Sequence, residues 1–117
     1  MATINENFKF IHGDTYVRYF SINKIASLPI TEIYYTVKTA QNGKPLLQKK
    51  LEEGIKLVSE DNERYHYAII FHDCTHKLKA NVEYMHDIQV IAGNVRSTLL
   101  KGYLILDEEV TTKKCEC

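Results

Sequence analysis

The residues of this chain best suited to metal or nucleophilic chemistry are five histidines and three cysteines. The densest group is His72, Asp73, Cys74 and His76. A helical turn there would set His72 and His76 on one face, a spacing a zinc site uses. Cys74 and Asp73 would then point elsewhere, and no second ligand pair stands nearby, so a polar turn between strands is the default reading. Cys115-Glu116-Cys117 offers two thiols, and two thiols alone do not close a tetrahedral site. A Cys74–His72 nucleophile pair oriented by Asp87 comes with no elbow or oxyanion motif. The glycines are dispersed at 13, 43, 54, 93 and 102, so no phosphate-cradling loop is present. The residues therefore point to no catalytic group, no metal site and no cofactor.

Tyrosine is the other abundant functional type, with eight copies. It suits either the margin of a core or a contact patch, because its ring is apolar and its tip is polar. Tyr34, Tyr65, Tyr67 and Tyr103 are the candidates for protein contact. Tyr84, Ile88, Val90, Ile33 and Val37 are the candidates for the core.

These side chains must be held by strands. β-branched and aromatic residues cluster in short runs bounded by turn residues. The runs are Phe8 to Ile11, Thr15 to Ile22, Ile33 to Lys38, Leu46 to Leu51, Ile55 to Val58, Tyr65 to Phe71, Glu83 to Ile91 and Thr98 to Leu106. Asn42-Gly43 and Ala92-Gly93-Asn94 are turn signals. Asp73 to Leu78 reads as a single helical turn capped by Asp73 or Thr75. About seven to eight short, mainly antiparallel strands with one short helical turn predict an all-β sandwich. The long segments Asp87 to Ile91 and Leu99 to Leu106 are candidates for exposed strand edges, which are templates for pairing with another chain, and the sequence leaves open which strands are edges. One domain over residues 1–110 and a loosely ordered tail over 111–117 complete the layout.

Composition narrows the function. The chain has 117 residues with 15 basic and 15 acidic side chains, a net charge of zero. That balance gives no basic footprint for nucleic acid, and no apolar run approaches the ~20 residues that span a bilayer. The start of the chain carries no secretory signal pattern, so synthesis in the cytoplasm with free thiols is expected.

Six segments in order resemble one family. They are Phe10-Ile11-His12-Gly13-Asp14-Thr15, Ile33-Tyr34-Tyr35-Thr36-Val37-Lys38, Pro45-Leu46-Leu47-Gln48-Lys49-Lys50-Leu51, His72 to Leu78, Tyr84-Met85-His86-Asp87-Ile88-Gln89-Val90, and Thr98-Leu99-Leu100-Lys101-Gly102. Over roughly residues 8 to 111 the chain resembles phage and prophage structural proteins of Gram-positive bacteria, in particular the N-terminal domain of phage baseplate upper proteins. Cys74 departs from that pattern where another polar residue is usual, and His86 where an aromatic is common. The resemblance implies an immunoglobulin-like β-sandwich and a non-enzymatic virion module of baseplate, tail or head. Its implied partners are other virion or tail subunits or further copies of itself, with neither nucleic acid nor membrane. A baseplate upper protein would continue past this chain's last residue, which sets the resemblance against direct host attachment. The rival expectation is a ligand- or carbohydrate-binding sandwich.

Overall fold

A computed structural model describes residues 3–12, 14–24, 29–39, 43–71 and 78–108. Within them lie nine strands: β1 (Ile4–Asn5), β2 (Phe8–Ile11), β3 (Tyr16–Asn23), β4 (Ile30–Lys38), β5 (Pro45–Leu51), β6 (Gly54–Glu60), β7 (Arg64–Phe71), β8 (Glu83–Ala92) and β9 (Val95–Asp107). No helix occurs among the described residues. The expected helical turn at residues 73–78 and the tail at 111–117 lie outside the described residues, save Leu78, which is buried. The one strand that the sequence pattern does not reveal is β1, because two residues carry no period.

Hydrogen bonding runs in the order β1-β9-β8-β4-β5-β6-β7-β3, with β2 also on β9. The path folds into two layers. Strands β4 and β7 stand three places apart in this order and share no ladder, yet the rings of Tyr35 on β4 and Phe71 on β7 meet edge to face at 5.4 Å. One layer is therefore β6-β7-β3, and the other is β5-β4-β8-β9 with β1 and β2 at its margin. The chain changes layer at the β5–β6 corner, where Glu52 (φ 71°) and Gly54 (φ 102°) take left-handed backbone conformations. A Cβ on Gly54 would crowd the Lys49 side chain at 3.0 Å. Lys49 in turn lays its amine over the Phe71 ring at 5.5 Å and closes that end of the core.

In immunoglobulin lettering β3 to β9 read B, C, C′, D, E, F and G. The layers are then D-E-B and C′-C-F-G, the order of an immunoglobulin-like sandwich. A further mark of that fold is present at the start of β8. The Tyr84 hydroxyl accepts a hydrogen bond from the Lys79 amide at 2.7 Å, which is the geometry of a tyrosine corner. Antibody domains place the second cysteine of their inter-sheet disulfide two residues further on. Here that position is His86, and β3 contains no cysteine.

Strict alternation on β8 buries Tyr84, His86, Ile88, Val90 and Ala92. Ile33, Tyr35 and Val37 do the same on β4, directly across the ladder. Tyr84, Ile88, Val90, Ile33 and Val37 are thus core residues, as their spacing predicts. Phe8, Tyr35, Phe71 and His86 form the aromatic centre, and Phe10 stacks on Tyr16. At the far hairpin Gly93 has φ 61°, the sign that a type II′ turn requires at its first position.

The edges are not where the sequence suggests. β8 sits between β4 and β9, and β9 between β8 and the first two strands. Long strands rich in alternating apolar residues bury most when flanked on both sides, so length marks the middle of this layer. Among the described residues the outermost strands are β3 and the β1–β2 pair.

Candidate protein-interaction site

The outer surface of the β5-β4-β8-β9 layer carries cross-strand rows set by the ladder registers. Lys38, Met85 and Tyr103 form one row, and Thr36, Asp87 and Lys101 the next. Tyr34, Gln89 and Thr98 follow, then Glu32, Ile91 and Arg96. Between the first two rows and Asn5 of β1 lies an open groove of ≈ 430 Å³.

Its shape depends on a kink in the first strand. Glu6 donates its amide to the Lys101 carbonyl at 3.0 Å, and its own carbonyl accepts from the His86 Nε2 at 2.7 Å. Asn7 accepts the Tyr103 amide on Oδ1 at 2.9 Å. The Glu6 carboxylate pairs with Arg18 of the other layer. Gly102 permits this approach, because a Cβ there would stand 2.3 Å from the Glu6 carbonyl oxygen. Backbone rather than a side chain therefore forms one wall of the groove.

Asp87 lies on the groove floor. Burial pushes its carboxyl pKa up, while Lys38 draws it partly back. Tyr103 stands 44 % exposed at the rim. Tyr34 is half-buried, and its hydroxyl donates to Glu32 at 2.6 Å. That bond is the main reason its pKa is raised. The arrangement offers hydrogen-bonding and charged groups of both signs around exposed aromatic and thioether surface. No group of three or more His, Cys, Asp or Glu able to hold a metal forms among the described residues.

Tyr34 and Tyr103 share this surface. Tyr65 and Tyr67 do not, which corrects their reading as surface tyrosines. Both point inward from β7, where Tyr67 is 4 % exposed and Tyr65 packs against the core. Period two fixes which residues share a face but not which face turns inward. Asp87, considered as the orienter of a Cys74–His72 pair, turns its side chain out of the sandwich, while His72 and Cys74 lie outside the described residues.

Sequence reasoning missed three residues of consequence. His86, among the five histidines, is 4 % exposed and joins the core to the kink of the first strand. Its only sequence signal is its place in the buried register of β8. Gly102 stands in a strand interior, a position that often marks a close backbone approach. Tyr19 is 67 % exposed on the outer face of β3. Aromatic residues on both faces of that strand conceal which side is core.

Strand order and the Tyr84 corner thus define the class, an immunoglobulin-like β-sandwich. No protein-family model matches the chain, and no curated protein matches it. Among solved structures, the extracellular domain of the voltage-gated sodium channel beta4 subunit, which forms parallel homodimers in cell–cell adhesion, is similar at 7% identity. The alignment covers 91% of this chain and 93% of that one, with a TM-score of 0.47.

Proposed function

We propose that this sandwich is a non-enzymatic structural module that works by protein–protein assembly, in the setting of a phage or prophage virion. The observation that carries the assembly reading is the groove-centred outer face of β4, β8 and β9. Tyr34, Met85 and Tyr103 supply aromatic and thioether contact area there, residue types enriched in contact patches, and Lys38, Asp87 and Lys101 supply charged groups of both signs beside it. The virion setting is supported by the six-segment sequence resemblance. Mass spectrometry of purified particles, induced from a host carrying this gene, tests that setting. Peptides of this chain at fixed stoichiometry to a tail or head subunit are expected, and their absence from the particles would sink it.

The groove also favours a second reading, a small polar ligand such as a sugar. Its ≈ 430 Å³ lies in the size range of ligand sites, and Asp87, Thr36 and Tyr103 are groups that bind hydroxyls. A glycan array with Asp87→Asn as control decides it. Binding that this variant abolishes would favour the ligand reading.

A further inference from the structure

Strand β3 is eight residues long and, among the described residues, pairs with β7 alone. Its ladder runs from Tyr16↔Phe71 to Asn23↔Arg64 with no register shift. Just past the end, the Lys24 amide donates to the Glu63 carbonyl at 2.8 Å. In an antiparallel ladder the bonded pairs alternate. Counting back from Lys24, residues 22, 20, 18 and 16 bond to β7. Residues 17, 19, 21 and 23 therefore turn their N–H and C=O groups toward the open edge.

Natural edge strands are normally guarded by lysine, proline, a bulge or very short length. β3 has none of these guards. Its single charge, Arg18, is paired in cis with Glu6 and lies over the Phe8 ring. The other outer edge is different. There β1 and β2 have two and four residues and are broken by the Glu6–Asn7 kink.

We propose that two copies of this chain pair through their β3 edges, antiparallel, about a twofold axis at Tyr19. The inference rests on the assembly reading above and names one partner and one surface for it. A second copy is the occupant because the strand is complementary to itself in this register. Tyr19 meets Tyr19 as a bonded pair at the axis, and Val17 meets Ser21 on either side. Every outward backbone group of these three residues then finds its counterpart. On the inner face Arg18 lies opposite Phe20, so no like charges oppose. Centring on Arg18 instead would set two guanidinium groups against each other, which is unfavourable. Pairing also covers Tyr19 and Val17, which are 67 % and 38 % exposed.

The test uses the full chain with Cys74→Ser, Cys115→Ser and Cys117→Ser as background. In a bonded antiparallel pair the facing Cα atoms are about 5.5 Å apart, within disulfide reach. Tyr19→Cys should therefore form a disulfide dimer on mild oxidation. Val17→Cys should not, because its two copies would be four residues out of step, roughly 13 Å. Light scattering across concentration should show a wild-type dimer that Tyr19→Lys weakens by roughly tenfold or more. Tyr19→Pro should abolish it, with far-ultraviolet circular dichroism reporting that the sandwich persists. A wild-type monomer at every concentration overturns the self-pairing but leaves assembly with a different protein standing. A dimer that resists Tyr19→Lys and does not crosslink at Tyr19→Cys also overturns it. If that dimer then yields to Tyr103→Asp, the groove face is the interface and the assembly reading survives.

Discussion

The Tyr35 hydroxyl donates to the His86 Nδ1 at 3.0 Å in the middle of the sandwich. The direction of that bond is fixed by the other side of the ring. Nε2 faces the Glu6 carbonyl, which can only accept, so Nε2 carries the proton and Nδ1 is the acceptor. His86 is thus a neutral imidazole that ties β4 and β8 to the kink of the first strand. It stands where antibody domains place half of their inter-sheet disulfide, but its hydrogen bonds run to β4 and to the Glu6 carbonyl rather than to β3.

Stability should fall in mild acid because of this residue. Burial lowers the His86 pKa from 6.5 to about 4. Between those values the unfolded chain binds a proton that the folded chain does not, so stability rises with pH across that window. The contribution is fully present above pH 6.5 and is lost as pH falls toward 4, by an order of ~3 kcal/mol. Urea unfolding at intervals from pH 7.5 to 4 measures it. An unfolding free energy that is flat from pH 6.5 to 4.5 would refute the assignment.

His86→Ala should cost about 3 kcal/mol at neutral pH, since it leaves a cavity and strips the buried Tyr35 hydroxyl and the part-buried Glu6 carbonyl of their partner. The same variant should show a weaker pH dependence over that window. Equal slopes in wild type and variant would mean that another group governs the acid limb.

Tyr84→Phe removes one oxygen and leaves the Lys79 amide without its acceptor. A loss of about 1–2 kcal/mol is expected. Thermal unfolding gives the cost, and faster hydrogen exchange at the Lys79 amide locates it. Unchanged exchange there would remove the corner from the account of stability.

Gly102→Ala should be among the most damaging conservative changes. The added methyl meets backbone, the Glu6 carbonyl carbon and oxygen at 2.9 and 2.3 Å, rather than a side chain that can swing away. Loss of the Glu6 and Tyr103 amide protection and a cost of roughly 2–3 kcal/mol are expected. A variant as stable as wild type with those amides still protected would show that the kink can relax.

The β6–β7 hairpin carries its own acid-sensitive clamp. Asp61 accepts from His66 Nε2 and from the Glu63 and Arg64 amides, and these bonds hold its pKa down to about 2. A depressed carboxyl pKa stabilises above the unfolded value near 3.8, and the effect is lost as pH falls through 2. Asp61→Asn should therefore fray the hairpin at neutral pH and show little further change in acid. Amide exchange at Glu63 and Arg64 reads this directly.

Much of this architecture is written in local pattern. Period two places Ile33, Tyr35 and Val37 on one face of β4 and Tyr84, Ile88 and Val90 on one face of β8, and both faces are core. Gly93 announces its hairpin through the backbone sign that a tight turn needs. Other features belong to relations between distant segments and leave no local trace. Whether β8 or β3 becomes an edge depends on which strands return beside it. Whether Tyr67 or Tyr103 meets solvent depends on which side the second layer closes, and the alternation of each strand is equally consistent with either. The groove exists because Glu6 packs onto Gly102, far along the chain, and no local window in the sequence spans both.

The parallel pairing of β1 and β2 with β9 has a consequence for synthesis. Of the described strands, the two made first have their ladder on the one made last. A ribosome needs on the order of ten seconds to produce the intervening residues. For that interval Phe8 and Phe10, both destined for the core, have no partner strand to lie beside. The nascent segment is then a hydrophobic stretch awaiting its sheet, the kind of sequence that chaperones hold. Completion of the sandwich is gated by the emergence of β9, so a chain cut short before Leu104 should be released as an open, sticky intermediate rather than a smaller domain.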